Sequence, residues 1–162
     1  MKILKKEYSI ALLVLVFFLG IHQAISAQAT PTSKPLAGVF PTGNKITNNN
    51  FTGTAYLQSL IEADSLNAIS VGNVTFTPGA RSKWHLHPAG QILLVTDGVG
   101  YYQERGQPKK ILRKGDVVKC PPNTPHWHGA SATEGFVQVA ITSREKGETV
   151  WMEAVTDAEY HQ

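Results

Sequence analysis

Four of the six histidines in this 162-residue chain stand in two His-x-His pairs, His85-Leu86-His87 and His126-Trp127-His128. In extended backbone, residues i and i+2 point to the same face, so each pair sets two imidazoles side by side. Imidazole is a common ligand of divalent transition metals. Gln91 follows the turn residues Pro88-Ala89-Gly90 and opens the apolar run Ile92–Val95. An amide entering a buried strand needs a partner. His85, His87 and His126 are therefore read as ligands of one metal ion, with the Gln91 carbonyl oxygen as the fourth. A lone histidine reads more readily as a hydrogen-bonded core group or an exposed one. The doubled pair in a β-rich chain is what turns the reading toward a metal.

The single cysteine, Cys120, excludes a disulfide framework and a thiolate zinc cluster. It reads as a buried small hydrophobe. Three imidazoles and one oxygen leave two open positions of an octahedron. That suits Mn(II) first and Fe(II) next, with Ni(II) and Zn(II) as further candidates. Gln91 adds no charge, so a divalent ion would keep its full charge in a low-dielectric pocket. It would be held less tightly but act as a stronger Lewis acid and a stronger attractor of anions.

His128 shares the inward face of His126. It is read either as an acid/base or as a group that only fixes a ligand or loop by hydrogen bonding. Gln138, between Val137 and Val139, is expected to face the pocket or pair inside the barrel, where it would orient a substrate or water. His128 and Gln138 are the candidate catalytic residues. Val74 and Phe76 are read as core or cavity-lining residues, and Arg81, Lys83 and Trp84 as rim or packing groups. His161 is expected to be exposed in the tail.

Short apolar or alternating runs are expected to position these groups. The expected strands are 54–60, 68–76, 91–96, 100–104, 110–112, 116–119, 126–129 and 136–142. The breaks between them include Pro88-Ala89-Gly90, Asp97-Gly98 and Pro121-Pro122-Asn123. Many short strands at near-regular spacing predict an all-β sandwich or barrel. Thr156-Asp157-Ala158-Glu159 is expected to start one short terminal helix.

At 42% hydrophobic and 17% charged residues, the length fits one core and is too short for a TIM barrel. Residues 1–27 carry Lys2, Lys5 and Lys6, an apolar run from Ile10 to Leu19 and a small-residue exit, the pattern of a secretory signal peptide. The run is shorter than the ~20 residues a spanning helix needs. Residues 28–50 read as a flexible leader, with one short strand near Val39-Phe40, and 51–162 as the barrel domain. Without residues 1–27, Lys+Arg falls from 15 to 12 and Asp+Glu from 12 to 11, which leaves a net charge of +1. The basic balance thus belongs mostly to the targeting segment and makes no case for nucleic acid. The expected protein is exported, without stable membrane insertion, and acts on a small molecule. No G-x-S-x-G, P-loop or G-x-G-x-x-G pattern occurs.

From Gly79 the chain reads G-x5-His85-x-His87-x3-Gln91-x6-Gly98. From Gly115 it reads G-x5-Pro121-x-Asn123-x2-His126. In order and separation these resemble the two cupin motifs. Gln91 stands where cupins usually have Glu, Asn123 replaces a turn glycine, and Ala130 replaces a final Asn. Asn tolerates positive φ, so the second change is compatible with the turn. The stretch from Phe51-Thr52-Gly53-Thr54 through Trp151-Met152-Glu153 is similar to small bacterial cupins that include the manganese-dependent (R)-mandelonitrile (hydroxynitrile) lyases. The resemblance implies a double-stranded β-helix (jelly-roll) barrel and His85, His87, Gln91 and His126 as ligands. It also implies a homodimer or homotetramer, and a proton-transfer histidine at the position Gln138 occupies here. An amide is no general base near neutral pH. Three functions remain open: a metal-dependent lyase, a dioxygenase on the same site, and a cupin that binds or senses a small ligand without turnover.

Overall fold

The computed structural model describes residues 36–162; the expected signal peptide and the first part of the leader lie outside the described residues. Every strand pairing is antiparallel, in one twelve-stranded sheet that curls on itself. Its first part holds β1 (Asn44–Lys45), β3 (Ala55–Ile61), β4 (Ile69–Phe76), β11 (Phe136–Ser143), the first half of β7 (Gln91–Glu104) and β9 (Val117–Cys120). Its second part holds β8 (Lys110–Arg113), the second half of β7, β10 (His126–Ala130), β5 (Arg81–Ser82), β6 (His85–Leu86), β2 (Phe51–Thr52) and β12 (Val150–Trp151).

Strand β7 joins the two parts. Asp97-Gly98 was expected to separate two strands, because Asp-Gly commonly makes a hairpin turn. The chain instead runs on through a corner. Gly98 adopts φ 77°, and a Cβ there would lie 2.0 Å from the Gly135 carbonyl oxygen. The partner register shifts between Val137 and Gln138. A bulge of this kind bends a strand out of one sheet into another. The other expected strands lie within one or two residues of β3, β4, β8, β9, β10 and β11. The part of the leader at Asn44–Lys45 is an edge strand on β3, whereas Val39 and Phe40 are exposed and outside any strand.

Alternation along β10 sorts its residues. His126 and His128 point into the barrel, and Trp127 points out. Trp127 is nonetheless fully buried, because the C-terminal segment crosses the outside of β10 and places Tyr160 beside it, ring centroids 5.9 Å apart. That segment ends in α1 (Asp157–His161), capped by Thr156 and Glu159 in a reciprocal capping box. Arg81 pins it from below: Nε and Nη2 donate to the Val155 carbonyl, Nη2 to Asp157 Oδ1 at 2.6 Å, and the guanidinium lies 4.6 Å from the Tyr160 ring centroid. Arg81 and Trp84 are thus packing groups. Cys120 is buried, as expected, and burial pushes its thiol up to about 12. Among the described residues no helix is long and apolar enough to cross a membrane.

Gly129 marks the closest approach of β10 to β5. A Cβ there would lie 2.4 Å from the Ala80 carbonyl oxygen and 2.6 Å from the Arg81 Cα. The Ala80–Arg81 backbone cannot yield cheaply, so Gly129→Ala should cost about 1–3 kcal/mol. Urea unfolding of the two proteins checks this, and an unchanged midpoint would contradict the tight β10–β5 contact.

Candidate metal centre

The histidines come from strand pairs whose register sets them face to face. His126 on β10 is the direct partner of His85 on β6, and Trp151 on β12 is the partner of His85 on its other side. The three rings form a row, with centroids 4.4 Å apart for His126–His85 and 4.8 Å for His85–Trp151. On the opposing sheet Gln91 is the partner of Thr142, and its Nε2 donates to Thr142 Oγ1 at 3.0 Å. That bond turns Gln91 Oε1 away from β11.

Hydrogen bonds on the far side of each ring decide which nitrogen faces inward. The Nδ1 of His85 lies 2.9 Å from the Lys83 carbonyl, and the Nδ1 of His126 lies 2.8 Å from the Thr124 carbonyl. A carbonyl only accepts, so both rings carry their proton on Nδ1 and present a bare Nε2. The His87 Nδ1 lies 3.2 Å from Thr149 Oγ1, which also accepts from Arg144 Nη1. His128 Nδ1 lies 2.9 Å from Gln138 Nε2. Gln138 has no exposed surface and acts on the cavity through His128.

His85, His126 and His128 offer ligand atoms within 4.8 Å of one another. His87 lies on the other flank, its ring 5.1 Å from His85 and 5.5 Å from His126. The sequence reading had set His128 apart from the ligands, but His128 lies in the tightest group and His87 does not. Among the described residues six buried side-chain atoms have no hydrogen-bond partner: His87 Nε2, Gln91 Oε1, His126 Nε2 and His128 Nε2, with Asn73 Oδ1 and Gln138 Oε1 as the other two. Buried polar groups are rarely left unpaired. Gln138 Nε2 only donates, so His128 carries its ring proton on Nε2. A cation satisfies the lone pairs on Gln91 Oε1 and on the Nε2 atoms of His85 and His126, so the residues present fit a divalent metal.

The cavity holds about 220 Å3 and reaches the surface between the two sheets. His85, His87, Gln91 and His128 line its inner end, and Val74, Ala140, Leu57 and Trp151 form apolar walls. Phe76 stays behind the wall, edge-on to His128 at 5.8 Å. Thr142, Thr149, Arg144 and Trp151 went unnoticed as site residues in the sequence. Strand alternation was a usable signal for Thr142 and Arg144; Thr149 and Trp151 reach the site from a segment with no local signature.

A cupin domain family model matches residues 72–142. An (R)-mandelonitrile lyase from Granulicella tundricola is 44% identical over 111 residues, 68% of this chain and 85% of that protein. Among solved structures, a cupin-like protein from Thermotoga maritima is 45% identical, with TM-score 0.74 over 76% of this chain and 94% of that one. A cupin 2 conserved barrel domain protein from Rhodopseudomonas palustris shares the fold at 17% identity, with TM-score 0.59 over 78% of this chain and 89% of that one.

Burial is the first cause that keeps the four imidazoles uncharged. His85 and His128 are held well below 6.5 by burial and then by their neighbouring imidazoles. Burial, then His126 and Arg144, push His87 down to about 3. Burial also lowers His126, against the Thr124 bond. In the metal-free protein, the unfolded chain takes up protons below about 6.5 that the folded cluster refuses. Stability is therefore greatest above that value and falls as pH drops below it. Denaturant midpoints of metal-free protein should fall between about pH 7.5 and about pH 5; a flat profile would contradict a buried, uncharged cluster.

Proposed function

The chain belongs to the cupin family, and from that premise we propose that it is a metal-dependent enzyme of the hydroxynitrile-lyase type acting on a small organic molecule. The observation that carries this reading is the set of buried, partnerless acceptor atoms on His87, Gln91 and His126, beside His85 with its carbonyl-locked tautomer. The relative named as a mandelonitrile lyase supports the reaction class.

In this reading His85, His87, Gln91 and His126 hold one divalent ion, Mn(II) before Fe(II). When bound, it supplies Lewis acidity to an oxygen or nitrile of the substrate. Cleaving a cyanohydrin moves the hydroxyl proton away, forms the carbonyl and breaks the bond to cyanide, which leaves and takes up a proton. Gln138 Nε2 donates to His128 Nδ1, so the neutral ring carries its proton on Nε2 and is the group of this chain suited to donate a hydrogen bond to the departing cyanide. Gln138 holds the far side of the His128 ring and so positions it. The apolar walls exclude water from the reacting centre. Export, and assembly as a homodimer or homotetramer, belong to the same proposal; the signal-like residues 1–27 support the first.

Reconstitution with Mn(II), Fe(II) or Ni(II), followed by metal analysis, tests the premise; protein that keeps no stoichiometric metal would sink it. His126→Ala should strip the ion. Gln91→Glu should tighten its retention and weaken anion binding. His128→Ala should keep the ion and lose turnover of mandelonitrile to aldehyde and cyanide. Loss of the ion in that variant would instead make His128 a ligand. Oxygen uptake with a flavonol would favour a dioxygenase, and tight ligand binding without turnover a binding protein.

A further inference from the structure

The inward face of β11 carries Gln138 against His128, Ala140 in the cavity wall and Thr142 against Gln91. The same alternation continues to Arg144, one residue past the strand, which lines the cavity mouth. Arg144 and Glu62 are the charged residues lining the cavity. Glu62 is exposed and accepts from Ser59 on the β3 lip. Arg144 is two-thirds covered, its side chain 31% exposed. Its Nη1 carries both of its side-chain hydrogen bonds, to Glu148 Oε2 at 2.7 Å and Thr149 Oγ1 at 3.1 Å. Among the described residues Nη2 and Nε have no partner, so one edge of the fork remains available. The group Arg144 now holds is itself a carboxylate. Glu148 is 83% exposed, so an incoming carboxylate can replace it at little cost in buried contacts. The Phe51 and Trp151 rings pack 5.7 Å apart and share the cavity lining with Leu57 and Ile61. That surface fits an apolar body.

We propose that Arg144 is a specificity residue that receives the carboxylate of a small apolar acid, so that the cavity takes an anionic aryl or branched-alkyl compound in preference to its neutral counterpart. A guanidinium meets a carboxylate through two parallel N–H···O bonds, and such charge-assisted pairs are among the stronger hydrogen bonds. The inference rests on this cavity being the substrate site and goes beyond the proposed reaction class, because a carboxylate-bearing compound would bind there in preference to a neutral one such as mandelonitrile. It needs no bound ion.

Titration calorimetry with phenylacetate and its neutral isostere phenylacetamide, on metal-free protein, tests it directly. Phenylacetate should bind about tenfold or more tightly than the amide, a difference of about 1.4 kcal/mol or more. Arg144→Gln should erase that preference, and Arg144→Lys should keep part of it. Glu148→Gln, a surface change, should strengthen phenylacetate binding without affecting the amide. Unfolding midpoints of the three variants separate lost binding from lost folding. Equal binding of the two probes, a preference that survives Arg144→Gln, or no binding of either would overturn the proposal. A carboxylate preference in protein that retains no metal would leave this inference standing and remove the metal-dependent reading. Metal retention without the preference would do the reverse.

Discussion

A backbone carbonyl can accept a hydrogen bond but cannot donate one, and that one-sidedness decides which nitrogen of His85 and His126 faces the cavity. Each ring is held by the carbonyl two residues earlier, Lys83 for His85 and Thr124 for His126. Two unrelated stretches of chain must therefore adopt matching geometry. One is the break between β5 and β6. The other is the Pro121–Pro125 turn, where Asn123 takes φ 57° and its amide N–H donates to the His87 carbonyl at 3.0 Å. The turn that delivers His126 is thus tied to the loop that delivers His87. Distorting either would move two imidazoles at once.

The remaining ligand candidates depend on longer connections. Thr142 orients Gln91 across a strand pair, and Thr149 meets His87 from the C-terminal segment. That segment adds its two-residue strand to β6 and lays Trp151 against His85. Its position is fixed further along by Arg81, whose side chain is 7% exposed. A guanidinium this buried requires partners, and Val155, Asp157 and the Tyr160 ring supply them. The outer cluster of Trp84, Trp127, Val155 and Tyr160 consequently helps to shape an inner site it does not touch.

The parts legible in the sequence share a physical reason: they are local. Alternation along β3, β4, β10 and β11 reports a half-buried strand residue by residue. The spacing from Gly79 to Gly98 and from Gly115 to His126 reports the turns of a known barrel. Thr156 and Glu159 report a helix start three residues apart. The illegible parts are set at a distance. Asp97-Gly98 has the composition of a turn, and only the sheet change on either side makes it a corner in β7. Two-residue strands such as β5, β6 and β12 have no periodicity to read. Gln138 stands in an inward register that was readable, but its partner His128 is a neighbour only after β10 and β11 have been brought to facing sheets. The grouping of His128 rather than His87 with His85 and His126 likewise comes from rings crossing between strands, which i and i+2 spacing cannot express.

The electrostatics of the cavity follow from the neutrality of its donors. Burial suppresses the charge of every imidazole in it, and Gln91 contributes a dipole where a carboxylate would contribute a charge. The carboxylate nearest in register to His126 is Glu104, its partner on β7, which receives the Tyr102 hydroxyl. Among the described residues no carboxylate lines the inner end, so the field of a bound cation would extend along the apolar walls, where little water screens it. Neutral donors hold a cation less strongly than charged ones. Here their orientation is fixed beforehand by Lys83, Thr124, Thr142 and Thr149, so less reorganisation opposes binding. Fixed, uncharged donors would exchange some metal affinity for an inner end that draws negative charge inward. Arg144, one residue past β11 on its inward face, would add a second positive group to that of a bound cation, so the two would favour charge of one sign.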